Sequence, residues 1–255
     1  MKMFALWVFA IMIISFIGGV IAFGRYEGFT FSRIEYQDEK ILPIDGISEV
    51  SINVVADKIN IYKTTDASIK ARYKGYIRED QDSKLETEAT GNLLKISIGS
   101  TIRPQFFAAN WPGTLDIYIP ADFEGKIKLH AVSGSIEMTE GVKGITQYEA
   151  KTISGRIILS GVSGKVSATT ISGGIVLNFL ELADTEIAST SGRVEINVPA
   201  DSAYKYLFNT TSGRFVLNDE IQRNQKPGNK RFDGEVGING KIIKVTSVSG
   251  SLEIK

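Results

Sequence analysis

Ser-Gly pairs recur along this sequence and are the first residues to consider for chemistry. A serine hydroxyl is a common nucleophile, and a neighbouring glycine can leave backbone N–H groups free to hold a phosphate or an oxyanion. Each pair leads into a short stretch in which apolar and polar residues alternate. The pairs begin at Ser133, Ser154, Ser163, Ser172, Ser191, Ser212 and Ser249.

The surroundings of the pairs support neither kind of chemistry. A phosphate-binding glycine loop needs a helix N-terminus beside it, whereas a strand pattern follows every pair here. A serine nucleophile needs a base, and the one histidine, His130, is replaced by Asn209 in an internal repeat. Alternation places His130 on the solvent side of a strand, and its spacing supports no serine–histidine–acid set. We therefore predict that these serines shape the fold.

Acidic residues offer two further sites. Asp122 and Asp201 both follow Pro-Ala. Calcium binding is one interpretation, but we favour turn-stabilising aspartates because the repeat pattern of calcium-binding β-rolls is absent. The other set shares the third position after a glycine and would be a candidate glycosidase pair if its members lay close together. Sequential stacking would instead separate them by about three strand spacings each. The set is Glu137, Glu195 and Glu253.

The spacing of the Ser-Gly pairs is periodic. With Ser163 set aside, successive pairs are 21, 18, 19, 21 and 37 residues apart. Residues 115–138 also resemble residues 194–217 at an offset of 79 residues, which is four units of nearly 20. A period near 20 is typical of a solenoid built from stacked rungs.

The residues two and four places after each glycine are all apolar, which predicts a strand with one buried face. The glycine would mark a corner with positive φ and allow stacked corners to approach, while the serine would hydrogen-bond the local backbone. We predict an all-β fold, specifically a parallel β-solenoid (β-helix or β-roll-like) of ~20-residue rungs. The apolar positions are Ile136, Met138, Ile157, Leu159, Val166, Ala168, Ile175, Leu177, Val194, Ile196, Phe215, Leu217, Leu252 and Ile254.

The N-terminal segment predicts membrane attachment. Residues 3–23 carry no charge over 21 positions, about the length needed to cross a bilayer. We expect an uncleaved transmembrane signal anchor over 1–25, a juxtamembrane linker over 26–44 and a solenoid domain over 45–255. A cleaved signal peptide is the alternative. The expected location is the cell membrane, with a single pass and an extracytoplasmic C-terminal domain.

Basic residues at the first place after glycine form one candidate interaction surface. Arg156, Lys165, Arg193 and Arg214 would form a column on the solvent face if their rungs stack in order. Such a column could bind an anionic envelope polymer or lipid headgroups. Nearby glutamates favour the alternative of an ordinary mixed surface.

Aromatic residues in one loop-like stretch form a second candidate surface. Phe106, Phe107 and Trp111 lie between two prolines in residues 101–113. They could contact a partner or the bilayer interface. The alternative is a loop that folds over the core.

Composition excludes several functions. The chain has 29 basic and 29 acidic residues, so no nucleic-acid partner is predicted. The absence of cysteine excludes disulfides, thiol catalysis and Cys-based zinc sites. No cofactor or metal site is predicted.

The segments "LDIYIPADFEGKIKLHAVSGSIEM" and "GINGKIIKVTSVSGSLEIK", with the serial Ser-Gly strands, carry a family resemblance. Over roughly 45–255 the chain resembles the bacterial LiaG-like, adhesin-type β-strand-repeat proteins. The resemblance implies a parallel β-solenoid or β-roll and, in some relatives, an anchored extracytoplasmic domain linked to envelope stress. It carries no catalytic motif.

The expected function is therefore a non-enzymatic binding module anchored in the bacterial cell envelope. Its partners would be the lipid bilayer, through residues 3–23, and either an envelope polymer or a membrane protein. The alternatives are a polysaccharide-acting enzyme on the same scaffold and a purely structural spacer.

Overall fold

A computed structural model describes residues 33–78, 84–99, 112–218, 220–222 and 230–255. Ile34–Lys255 form one compact unit. The predicted anchor at 1–25, including residues 3–23, lies outside the described residues. No helix formed by the described residues is long and apolar enough to cross a membrane.

The described residues form strands joined by turns and bends, without helices, so the all-β prediction is confirmed for them. The strands are β1 (Arg33–Pro43), β2 (Glu49–Val54), β3 (Lys58–Thr64), β4 (Ser68–Arg78), β5 (Lys84–Thr90), β6 (Leu93–Gly99), β7 (Thr114–Pro120), β8 (Gly125–Ala131), β9 (Ile136–Met138), β10 (Ile145–Thr152), β11 (Ile157–Val162), β12 (Lys165–Thr170), β13 (Ile175–Phe179), β14 (Thr185–Ser189), β15 (Arg193–Asn197), β16 (Tyr204–Thr210), β17 (Arg214–Leu217), β18 (Glu220–Gln222), β19 (Lys230–Val236), β20 (Lys241–Ser247) and β21 (Ser251–Ile254).

The strands form two mixed sheets. Sheet A has the order β1-β4-β7-β3-β9-β11-β13-β15-β21-β17-β18, and sheet B has the order β19-β16-β20-β14-β12-β10-β8-β2-β6-β5. One strand of each rung lies in sheet B and the next lies in sheet A, as in β10–β11, β12–β13 and β14–β15. The result is a β-solenoid-like fold.

Period-two alternation creates the core between the sheets. Of the apolar positions predicted to face inward, all are buried except Leu217, which is partly buried. Parallel pairing brings like positions together, so that Ile157 lies opposite Ile136 on one side and Ile175 on the other. Stacking of identical positions therefore builds one continuous apolar core, as the alternation predicted.

The stacking order does not follow the sequence. β20 lies between β14 and β16, and β21 lies between β15 and β17. Antiparallel pairs also occur, between β4 and β7, β5 and β6, β16 and β19, and β17 and β18. The prediction of a parallel solenoid is thus not confirmed in full, because parallel rungs are bordered by antiparallel strands.

Part of the segment expected to be a linker is a strand. Residues 33–43 form β1, which lies beside β4 at one edge of sheet A. Its side chains reach the neighbouring strand, since Glu39 pairs with Arg72 at 2.8 Å. The strand region of sheet A therefore begins before residue 45.

Candidate ligand-binding face at the Ser-Gly corner

Six rungs turn from sheet B into sheet A through the same kind of segment, which we call the Ser-Gly corner. Each segment contains a β-branched residue, then serine, then glycine, then one variable residue. A seventh rung makes the same turn through residues 55–58 without the Ser-Gly pair. In stacking order, the six segments are 132–135, 153–156, 171–174, 190–193, 248–251 and 211–214.

The glycines of the corner stack directly on one another. A Cβ atom at Gly155 would overlap the carbonyl oxygen of Gly134, and one at Gly173 would overlap that of Gly155. None of these corner glycines has positive φ, so that part of the prediction is wrong. Close approach between rungs, rather than left-handed backbone, requires glycine here.

A hydroxyl three residues before the glycine holds the turn. The Gly155 N–H donates to Thr152 Oγ1 at 2.9 Å, and the Gly173 N–H donates to Thr170 Oγ1 at 2.9 Å. Gly213 and Gly250 are held in the same way by Thr210 and Ser247. Sequence reasoning assigned this role to the serine of each pair and missed the buried hydroxyl, although its regular spacing is visible in the sequence.

Ser189 is the exception among these hydroxyls. It occupies the same place before Gly192, yet its Oγ is buried and has no hydrogen-bond partner among the described residues. Two of the six rungs therefore lack this hydrogen bond, since Ala131, three residues before Gly134, carries no hydroxyl.

The serines of the pairs face solvent. The six at this corner are all exposed. The Ser133 and Ser172 hydroxyls lie 3.5 Å from the carbonyl oxygens of Val55 and Ile153, beyond the usual range of an O–H···O hydrogen bond. These hydroxyls are available to a ligand and contribute little to the turn.

A row of β-branched side chains runs beside the serines. Five apolar members are 43–52% exposed, and backbone hydrogen bonds link their rungs in turn. An exposed apolar row on neighbouring strands is typical of an interaction surface, and Thr190 interrupts this row between Ile171 and Val248. These five residues are Val55, Val132, Ile153, Ile171 and Val248.

Basic residues occupy every second place at this position of sheet A, and we call Lys74, Lys58, Arg156, Arg193 and Arg214 the basic column. Arg214 lies opposite Ser251, which also lies opposite Arg193. Successive members of the column are therefore about 9.6 Å apart, twice the strand spacing of about 4.8 Å. In stacking order the places are Lys74, Thr114, Lys58, Ser135, Arg156, Gly174, Arg193, Ser251 and Arg214.

The predicted column is corrected in two respects. Lys165 is exposed but begins β12 in sheet B, because Ser163-Gly164 forms the opposite turn of the rung. Arg193 and Arg214 are not on adjacent rungs, because β21 separates them. Lys58 and Lys74 join the column without a Ser-Gly pair, and nothing in their local sequence indicated it.

Two arginines of the basic column have no acidic partner among the described residues. Arg156 and Arg214 are exposed and form no ion pair with another described residue. Arg193 lies 3.4 Å from Glu253, and Lys58 lies 2.7 Å from Glu137. The face therefore presents positive charge that its own carboxylates do not neutralise.

The expected separation of the glutamates is wrong for one pair. Glu195 and Glu253 lie opposite each other on β15 and β21, because β21 is inserted beside β15. Lys255 Nζ lies 3.3 Å from Glu195 and 3.2 Å from Glu253, and these hydrogen bonds raise the pKa of Lys255. The two carboxylates thus share a cation in a partly buried ion-pair network.

The other polar candidates are scattered. His130 lies on the outer side of sheet B with Nε2 3.7 Å from Glu149. Asp122 and Asp201 are exposed in turns after β7 and β15. Within the described ranges, no group of three or more histidine or acidic residues could hold a metal ion. Phe106, Phe107 and Trp111 lie outside the described residues.

An open cavity of about 510 Å³ borders the β-branched row on the sheet B side. Its lining comes from four consecutive rungs, at 169–171, 188–190, 246–248 and 209–211, together with 230–231. Hydroxyl and amide side chains, among them those of Thr169 and Asn209, contribute much of that lining. The cavity therefore extends in the direction in which the rungs stack.

Rungs stacked around one apolar core define a β-solenoid-like repeat protein. Its Ser-Gly corner repeats both a buried glycine and an exposed serine. The chain belongs to the Toastrack DUF4097 family, whose model matches residues 126–255.

Solved structures are similar to this chain at low sequence identity. A candidate cell adhesion protein from Clostridium sporogenes is 15% identical, with a TM-score of 0.53, over 87% of this chain and 99% of that chain. A candidate adhesin from Bacteroides fragilis is 11% identical, with a TM-score of 0.44, over 88% of this chain and 99% of that chain. Comparison with curated proteins gives no match.

Proposed function

We propose that this protein is a non-enzymatic binding module of the bacterial cell envelope, anchored in the membrane with its β domain outside the cytoplasm. The Ser-Gly corner is its binding face, and the partner is an anionic envelope component. The observation that carries the proposal is the repetition of exposed serine and alternating arginine over rungs whose turn is held by other residues.

Several further observations support this proposal. Residues 3–23 are long and apolar enough for an anchor. The resemblance to LiaG-like proteins favours a role in the envelope and its stress response. The Clostridium sporogenes protein of similar fold is a candidate cell adhesion protein. The paired carboxylates Glu195 and Glu253 do not favour hydrolysis, because Lys255 bridges both.

Binding to purified bacterial cell walls and to phosphatidylglycerol vesicles tests the proposal. A variant carrying Arg156→Glu, Arg193→Glu and Arg214→Glu should cosediment at least tenfold less than the parent, because three like charges now oppose the ligand. Lys165→Glu is the matched control, since Lys165 is equally a basic residue after Ser-Gly but lies in sheet B. Equal binding by the parent and the triple variant would refute the assignment of this face.

A further inference from the structure

We infer that the ligand of the Ser-Gly corner is an unbranched anionic polysaccharide with one negative charge per disaccharide, lying parallel to the stacking direction. This inference rests on the proposed function and adds the chemical class of the partner. It follows from the period of the basic column rather than from its total charge.

The spacing of the arginines matches the length of a disaccharide. Arg156, Arg193 and Arg214 are separated by single uncharged places, Gly174 and Ser251, so guanidinium groups recur about every 9.6 Å, twice the strand spacing. The middle one, Arg193, also lies 3.4 Å from Glu253, so a ligand carboxylate would compete with Glu253 for it. A sugar unit in an extended chain is about as long as one strand spacing. Alternate sugars bearing a carboxylate would therefore meet alternate rungs bearing an arginine.

Each rung also presents groups that can contact an uncharged part of a sugar. Every rung of the corner exposes one serine hydroxyl, which can donate to or accept from a sugar hydroxyl. Most rungs also expose an apolar side chain, such as Ile153 or Ile171, against which the C–H face of a sugar ring can pack. A glycan presents both kinds of group once per unit, as the corner does.

The contacts of the corner repeat along the stacking direction of the rungs. The corner places like residues above one another, so its contacts repeat along the stack and suit a linear ligand. The adjoining cavity is lined by four of the same rungs and extends the same way. Bilayer headgroups have no fixed period, and a membrane surface would gain nothing from alternation.

Alternation also halves the Coulomb repulsion between neighbouring arginines, since that energy falls with distance. This effect predicts no preference among polymers of equal charge. It also gives no reason for a serine on every rung. Ligand discrimination therefore separates the two explanations.

The test uses three oligosaccharides of six sugars or more, a length that spans Arg156 to Arg214 at about 19 Å, or four strand spacings. Hyaluronan carries one carboxylate per disaccharide, oligogalacturonate carries one per sugar, and chitin oligosaccharides carry none. Binding is measured by calorimetry at about 0.15 M salt, where the screening length is about 8 Å. The parent protein should bind hyaluronan at least fivefold more tightly than oligogalacturonate and should not bind the chitin oligosaccharides.

Arginine at the two uncharged places of the column should reverse the preference between hyaluronan and oligogalacturonate. Gly174 has open space, with the nearest atom to an added Cβ 3.6 Å away, and Ser251 is partly exposed. A variant with Gly174→Arg and Ser251→Arg should therefore fold and favour oligogalacturonate. Replacing Arg156, Arg193 and Arg214 by glutamine should abolish binding, while Lys165→Gln should leave it unchanged.

Two outcomes would overturn the inference. One is binding that follows total charge alone in both the parent and the filled variant. The other is binding to phosphatidylglycerol vesicles with no binding to any of the three glycans, which would retain the binding face but replace the ligand by a membrane. Failure to bind cell walls, vesicles and glycans alike would reject the proposed function as well.

Discussion

The two turns of each rung differ in how strictly they are repeated. The Ser-Gly corner uses a β-branched residue, serine and glycine in six rungs. Between β7 and β16, the opposite turn, from sheet A back to sheet B, has 4, 6, 2, 5 and 6 residues between successive strands and no sequence common to all of them; Pro-Ala-Asp recurs in only two, at 120–122 and 199–201. Those five linkers are 121–124, 139–144, 163–164, 180–184 and 198–203.

Both turns solve the same folding problem, so the fold does not require a constant corner. Inside the Ser-Gly corner, glycine and the buried hydroxyl have clear structural roles, as Gly155 and Thr152 show. Outside it, serine and alternating arginine are repeated without such a role. The opposite turn folds without such repeated residues. We therefore assign a binding function to the exposed serines and arginines of the Ser-Gly corner.

The largest expected effect is on the glycine stack. Gly155→Ala places a Cβ atom against the Gly134 carbonyl and Thr152 Oγ1, so the free energy of unfolding should fall by about 3 kcal/mol. Urea denaturation measures the change. Gly174→Ala is the control at the same corner, where space is open, and should cost less than about 1 kcal/mol. Equal losses of stability in the two variants would show that the buried glycine of the corner is no more constrained than its exposed position.

The opposite turn offers a pH-dependent test of its different construction. Tyr148 is fully buried beneath linker 139–144, and its hydroxyl oxygen lies 3.4 Å from the Val142 carbonyl oxygen. Burial raises the pKa of Tyr148 to about 12, whereas an unfolded tyrosine has a pKa near 10. The stability tied to its proton is complete below pH 10 and declines as the pH rises to 12, by about 2.7 kcal/mol.

Unfolding free energies of the parent and Tyr148→Phe at pH 9 to 12 check this prediction. The Phe variant should lose stability less steeply above pH 10. Tyr73, whose pKa is also raised by burial and by Asp57, remains in both proteins and serves as a common background. Parallel curves for the two proteins would show that Tyr148 ionises as it does in the unfolded chain.

A smaller effect is expected at the buried hydroxyls. Thr170→Val keeps the shape of the side chain but leaves the Gly173 N–H without its partner, so it should cost about 1–2 kcal/mol. Ser189→Ala is the matched comparison, because the Ser189 Oγ has no partner to lose among the described residues, and it should change stability by less than about 0.5 kcal/mol. Urea midpoints that rank the two variants in reverse would contradict the assigned role of the hydroxyl.

Local patterns predicted the parts of the fold that local physics determines. Alternation identified the inward positions, of which Ile157 and Ile175 are examples, and repetition identified the corner. The buried hydroxyl could also have been found, since Thr or Ser stands three residues before the glycine at Gly155, Gly173 and Gly213.

The order of the rungs could not be found in the same way. Any rung can pair with any other through backbone hydrogen bonds, so alternation does not say that β21 lies between β15 and β17. The arrangement of the candidate site depends on the rung order and could not be predicted either. Arg193 and Arg214 were recognisable as exposed basic residues, but their separation by Ser251 depends on that insertion.

The inserted rung also has a consequence for how the chain folds. In repeat proteins whose units contact only their sequence neighbours, folding can begin at one place and extend outwards one unit at a time. Here β20 and β21 are synthesised after β16–β19 but lie between those strands and β14–β15. Thr185 of β14 pairs with Ile243 of β20, so strands far apart in the sequence must meet, which raises contact order and slows folding. Removal of residues 241–255 would therefore divide the stack rather than shorten it.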